Sequence, residues 1–163
     1  LYEETAYTFD ETEDMVDISA RDQMYLLESL QNSVKIAYEA AEKEFKITDT
    51  KHYTYYVYDF VKEYSNLRVG DIITSYDGQK LDDLDKYSEY IQTKEIEDEI
   101  EITIERGSKT INTKLKVYEQ ENRKYTGIVI MNLFSYETNP KITFKFKKNE
   151  STFFPRTRRR TNN

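Results

Sequence analysis

The chain of 163 residues has no cysteine and no tryptophan, and only one histidine, two prolines and four glycines. Without thiols there is no disulfide framework, no thiolate nucleophile and no cysteine-based metal site, and the redox compartment stays open. His52 is the lone imidazole, and without a second imidazole or thiolate ligand or a nearby nucleophile it is weak evidence for a metal site; for a serine triad it falls in a predicted strand. The few glycines do not form a phosphate-cradling loop. No run approaches the ~18–20 apolar residues of a membrane-spanning helix, and nothing at Leu1 reads as a signal peptide. These absences leave no expected cofactor, metal or catalytic residue, and no direct membrane insertion. Because the first residue is Leu rather than Met, the chain is expected to be a fragment from which an anchor or leader has been cut.

What is present is acidic and aromatic. Hydrophobic residues make up 37%, but fifteen of them are tyrosines, so the expected core is thin and aromatic-rimmed. The net charge is −7, yet residues 145–160 are basic, so the body is more acidic still. Nucleic acid is therefore not an expected partner of the body. The tail FKFKKNESTFFPRTRRR is basic enough for RNA or anionic lipid but reads as a solvated end.

Residues 1–18 form an acidic lead-in; their carboxylates lack the glycine of a calcium loop. Ser19 and Asp22 resemble a capping box, and Met24, Leu27, Leu30, Val34, Ala37, Ala41 and Phe45 then recur at helical spacing. The spacing predicts one long amphipathic helix over Ala20–Glu44, inside an N-terminal helical segment of residues 19–48. KHYTYYVYDF, residues 51–60, predicts a strand. In LRVGDIITSYDG, residues 67–78, Gly70-Asp71 turns the chain into a strand and Asp77-Gly78 turns it out. DDLDKYSEYIQT predicts a short helix with Leu84, Tyr87, Tyr90 and Ile91 on one face. Ile100, Ile102 and Ile104 alternate, Arg106-Gly107-Ser108-Lys109 turns, and Ile111, Thr113, Leu115 and Val117 alternate again, which predicts a hairpin with one buried face. GIVIMNLF after Gly127 predicts a last strand, and KITFKFKK after Pro140 one more. The class expected is α+β: a small, partly open β-barrel with one or two short helices, preceded by a long helix.

These residues resemble a known family. Leu67-x-Val69-Gly70-Asp71, Asp77-Gly78, and, after a helix, Asp98-x-Ile100-x-Ile102-x-Ile104-x-Arg106-Gly107 are similar to the signature of bacterial PDZ domains. The preceding helix, with Ser29, Ser33, Ala37 and Ala41, and the following GIVIMNLFSYETNPKITFKFKKNES look like the membrane-anchored, Lon-like PDZ-containing serine peptidases of Gram-positive bacteria. The resemblance implies a PDZ-like domain over residues 49–134, a strand or linker over 135–150 toward a protease domain, and a basic tail over 151–163 foreign to the domain. That family continues into a Gly-Pro-Ser-type motif, whereas this chain reads STFFPRTRRRTNN after Glu150. It also has Lys51, Phe60–Glu63 and Glu97 where family members keep glycine or a Gly-Ser-Pro-Ala-like turn.

The site follows from the resemblance as well. PDZ domains add a peptide to a sheet edge beside a helix, with backbone amides on the terminal carboxylate. The resemblance places the carboxylate loop at Lys51, His52 and Tyr53, the pairing strand at Thr54, Tyr55, Tyr56 and Val57, and the groove helix at Leu84, Tyr87, Ser88 and Ile91. Gly70, Asp71, Asp77, Gly78, Arg106 and Gly107 are structural turns. Expected partners are extended peptides or protein C-termini and the chain's own protease domain. The expected location is the outer face of the bacterial cytoplasmic membrane, through an N-terminal anchor. Two rivals stand beside this noncatalytic reading: a small Ser-Lys peptidase without the usual motif, and an assembly domain whose groove is filled. Gly107-Ser108 next to Lys109 is a hairpin turn rather than a nucleophile turn.

Overall fold

The computed structural model describes residues 15–140, beginning with helix α1, Met15–Ala40. The helix starts more than a turn before the expected Ala20, so the end of the acidic lead-in is already helical. Residues 1–14 and 141–163, including the tail and the strand expected after Pro140, lie outside the described residues. Met24, Val34 and Tyr38 are buried, and Ala20 packs against the core. Leu27, expected inside, is 48% exposed, and Ala37 and Ala41 are exposed too. Gln31 and Tyr38 take the sheet-facing side instead, because each finds a backbone carbonyl to bond, at Phe134 and Pro140. The helix ends before Glu44 because the chain reverses at Glu42, whose φ is 57°.

There follow β1 (Glu44–Val57), α2 (Asp59–Lys62), β2 (Ile72–Tyr76), β3 (Gln79–Lys80), α3 (Leu84–Gln92), β4 (Glu99–Arg106), β5 (Lys109–Lys116), β6 (Tyr118–Gln120), β7 (Arg123–Tyr125) and β8 (Ile128–Asn139). One six-stranded sheet has the order β5-β4-β2-β1-β8 with β3 beside β2, and β6 and β7 form a separate hairpin. The sheet is open rather than closed into a barrel. The first half of β1, polar and mostly exposed, reads as no strand in the sequence; pairing with β8 from Glu44↔Asn139 onward makes it one.

The core sits between this sheet and the helices. Ile100, Ile102 and Ile104 are fully buried, with Leu115, Val117 and Val61 beside them. Each such residue contributes about 2–3 kcal/mol through burial. Asp77 and Gly78 both take positive φ, 46° and 78°, the pattern of a two-residue hairpin turn. Asp77 also accepts the Glu101 N–H at 2.7 Å and the Tyr90 hydroxyl at 2.5 Å, so the turn ties β4 to α3. Asp71, 2% exposed, accepts two hydrogen bonds from Arg106, each 2.8 Å, and the Arg68 N–H at 2.7 Å.

Glu97, where the family resemblance calls for glycine, has φ 76°, and its N–H donates to the Val117 carbonyl at 2.7 Å. A Cβ in the left-handed region costs about 1–2 kcal/mol. Glu97→Gly is therefore expected to stabilise the fold by about 1 kcal/mol, after the added chain entropy of glycine is subtracted. Urea unfolding checks this through a higher midpoint at unchanged slope.

Candidate functional site

Strand addition needs a sheet edge whose N–H and C=O groups are unpaired. β1 is not such an edge. Thr54, Tyr56 and Val57 face Ile130, Val129 and Ile128 of β8, and Tyr53 faces Ile72 of β2 on the other side. The expected pairing strand Thr54–Val57 is thus an interior strand, and this corrects the sequence reading. Arg21 of α1 further covers Tyr55 and Tyr56, with its guanidinium carbon 5.6 and 5.2 Å from the ring centres.

The expected carboxylate loop is corrected in the same way. Lys51, His52 and Tyr53 sit in mid-strand opposite Leu133, Asn132 and Met131. His52 is 4% exposed and bonds through Nδ1 to Asn132 Oδ1 at 2.6 Å. A residue in regular strand needs no glycine, which accounts for Lys51. On the groove helix, Tyr87 (8% exposed) and Ile91 (2%) belong to the core, Leu84 packs against it, and Ser88 accepts from Arg123 at 3.0 Å.

The edge beside β1 is β8, and hydrogen bonds give its orientation. The Thr54 N–H donates to the Asp71 carbonyl and its C=O accepts from the Gly70 N–H, both at 2.8 Å. Thr54 therefore turns its backbone away from β8. Its partner Ile130, in a non-hydrogen-bonded pair, must turn away from β1 and face outward. Phe134 has the same phase: its N–H and C=O bond the side-chain amide of Gln31 at 3.1 and 2.7 Å, on the outer side. The two-residue period puts Asn132 outward as well.

The turn that opens this edge is built by Tyr125, Thr126 and Gly127. Gly127 has φ 83°, and a Cβ there would stand 2.5 Å from Val61 Cγ2 and 3.0 Å from Phe60 Cζ. Its carbonyl accepts the Tyr58 N–H at 3.0 Å. Thr126 is held 2.8 Å from the Tyr87 hydroxyl, and the Gln92 amide bonds both the C=O and N–H of Lys124 at 2.9 and 3.1 Å. Helix α3 is thereby fixed beside the start of β8. A cavity of ≈ 340 Å³ adjoins the same turn, with Tyr58, Tyr118, Glu121, Tyr125 and Val129 among its walls. Sequence reading missed Gly127 and the outward residues of β8; the available signal was the fourth glycine placed directly before the apolar run GIVIMNLF.

Burial pushes the Tyr87 phenol up to about 12 from 10.0, with the hydrogen bond to Thr126 pulling the other way. Burial, followed by Tyr58 and Tyr125, also raises Tyr118. A phenol whose folded pKa lies above the unfolded one holds its stabilisation below the unfolded value and loses it as pH rises through the folded value. For Tyr87 the window is pH 10.0 to about 12, and two units correspond to about 2–3 kcal/mol. Tyr87→Phe is expected to lose less stability than the parent between about pH 9.5 and 11.5, measured as urea midpoints along the alkaline limb.

The deciding comparison is with protein families: a PDZ domain family model matches residues 33–117. The chain belongs to the PDZ domain family. PDZ domains are peptide- and protein-binding modules, typically noncatalytic. Solved structures similar to this PDZ domain include that of an SdrC-like protein from Listeria monocytogenes, with 26% identity, 52% of this chain and 92% of that chain covered, and a TM-score of 0.46. The PDZ domain of an SdrC-like protein from Listeria innocua has 26% identity, coverage of 49% and 92%, and a TM-score of 0.44. The second domain of a Listeria protein, solved in solution, has 26% identity, coverage of 53% and 88%, and a TM-score of 0.43. No curated protein matches the chain. The family match ends at Val117, before β8 begins.

Proposed function

We propose that this PDZ domain binds extended peptides or protein C-termini by adding them as a strand to the outer edge of β8, starting at the Gly127 turn. The carrying observation is the outward backbone of Ile130, fixed by the bonds of Thr54 to Gly70 and Asp71. A peptide antiparallel to β8 brings its C-terminal end to the turn and the cavity at Gly127–Val129. The function of this recognition, in our reading, is to position substrates for a Lon-like serine peptidase domain on the outer face of a bacterial cytoplasmic membrane. The long helix with Ser29, Ser33, Ala37 and Ala41 and the stretch GIVIMNLFSYETNPKITFKFKKNES support that context.

Calorimetric titration against a library of C-terminal peptides tests the reading. Binding is expected, and amide exchange is expected to slow at Ile130 and Asn132 but not at Thr54–Val57. Ile130→Pro removes one outward N–H and should weaken binding by about tenfold, since proline is tolerated where the N–H faces solvent. Flat traces for every peptide with the domain folded would overturn it. Two observations favour the assembly reading instead: the strand expected to pair with peptide, Thr54–Val57, is already paired with β8, and part of the β8 edge is already occupied by Gln31. In that reading the whole edge is filled, and no peptide alters exchange at Ile130.

A further inference from the structure

We propose that Gln31 of α1 sets the length of peptide that the β8 edge accepts. This rests on the strand-addition reading above and adds a boundary to it. A side-chain amide offers one donor group and one acceptor, the same pair a neighbouring strand presents. Gln31 uses both on Phe134: Nε2 donates to the carbonyl at 2.7 Å and Oε1 accepts the N–H at 3.1 Å. Phe134 is therefore paired as though a strand already lay beside it. Farther along, the Tyr38 hydroxyl donates to the carbonyl of Pro140, the residue after β8, so α1 holds the strand at Phe134 and again just past its end. The helix is not a loose cover, because Met24, Val34 and Tyr38 anchor it in buried positions.

The remaining open edge runs from Gly127 to Asn132, with Ile130 and Asn132 as its outward pairing positions. At ~3.4 Å per residue this stretch takes about five peptide residues. The next pairing position is Phe134, where an incoming chain must either displace the Gln31 amide or leave the sheet. The partner chemistry this selects is a short extended segment at a chain end, followed upstream by a chain that turns away. Recognition of long extended stretches is excluded by the same contact.

The test uses the full chain and its Gln31→Leu variant, which keeps a helix-forming side chain of similar length but cannot bond Phe134. The probes are free-carboxylate peptides of alternating Thr and Val ending in Val, with a common two-lysine tag at the N-terminus, in lengths of about four, six, eight and ten residues. Affinity for the parent is expected to rise to six residues and then stay level. For Gln31→Leu it is expected to go on rising, by about tenfold between six and ten residues, as two further backbone hydrogen bonds form. Identical length profiles would overturn the proposal while leaving strand addition intact. Amide exchange at Phe134 provides a readout without any peptide: protection in the parent and acceleration by about tenfold or more in Gln31→Leu are expected. Unchanged exchange at Phe134 overturns the cap itself. Absence of binding by both proteins at all lengths, with the exchange difference present, overturns the strand-addition reading and leaves Gln31 as an edge cover.

Discussion

Gly127→Ala is expected to destabilise the protein by about 3 kcal/mol and to abolish peptide binding. Two costs combine. The residue has φ 83°, and the new Cβ would stand 2.5 Å from Val61 Cγ2 and 3.0 Å from Phe60 Cζ. Val61 is fully buried, so it has no room to retreat. The strain falls on the turn that aims β8, and relief requires α2 to move away from the Gly127 carbonyl that accepts from Tyr58. Urea unfolding gives the stability, and titration with the peptides that bind the parent gives the function. Gly78→Ala is the control: it shares a positive φ of 78° but meets nothing within 4 Å, so its cost is the backbone term alone, about 1 kcal/mol. Equal losses at the two glycines would show that the contact with α2 does not matter.

Arg106→Ala is expected to cost about 3–5 kcal/mol, and Asp71→Ala less. The asymmetry comes from exposure. The Asp71 carboxylate is 2% exposed, whereas the Arg106 side chain is 27% exposed. Removing the arginine leaves a buried anion with the Arg68 N–H as its remaining hydrogen-bond donor. Removing the aspartate leaves a cation that can turn toward water. Asp71 and Arg106 hold the entry turn of β2 against the end of β4, and the Gly70-Asp71 turn meets Thr54 of β1. Loss of the pair therefore reaches the register that points Ile130 outward. Arg106→Lys keeps the charge but not the two-point geometry and is expected to recover only part of the loss. Chemical denaturation at neutral pH and low salt checks the order Arg106→Ala, Asp71→Ala, Arg106→Lys, parent. A larger loss for Asp71→Ala than for Arg106→Ala would contradict it.

The proposed strand addition does not depend on special side-chain chemistry. The described ionisable residues form no cluster able to hold a metal ion. The proposed site requires backbone geometry, and three structural devices bear on it: the Asp71–Arg106 lock, the Gly127 turn, and the Gln31 amide at the far end. Each acts on the same strand or on the strand beside it. That is why two of the expected large mutational effects lie outside the edge itself.

Local sequence determined the elements whose information is local. The alternation of Ile100, Ile102 and Ile104 and the Arg106-Gly107 tip produce the β4–β5 hairpin, and Asp77-Gly78 produces the turn between β2 and β3, because the relevant partners lie within a few residues. Asp83 caps α3 by accepting the Asp85 N–H at 2.9 Å, again a local event. The long helix was legible in kind, though its buried side was not, since Gln31 and Tyr38 face the sheet for hydrogen bonds made about a hundred residues away in sequence. The tertiary structure alone decided which of β1 and β8 is an edge strand. KHYTYYVY and GIVIMNLF both read as strands rich in apolar and aromatic residues, and periodicity says which face of a strand is buried, not which of its two sides is paired. That choice is made by backbone hydrogen bonds between β1 and β8, from Glu44↔Asn139 to Val57↔Ile128, which place β1 inside the sheet and leave β8 at its margin.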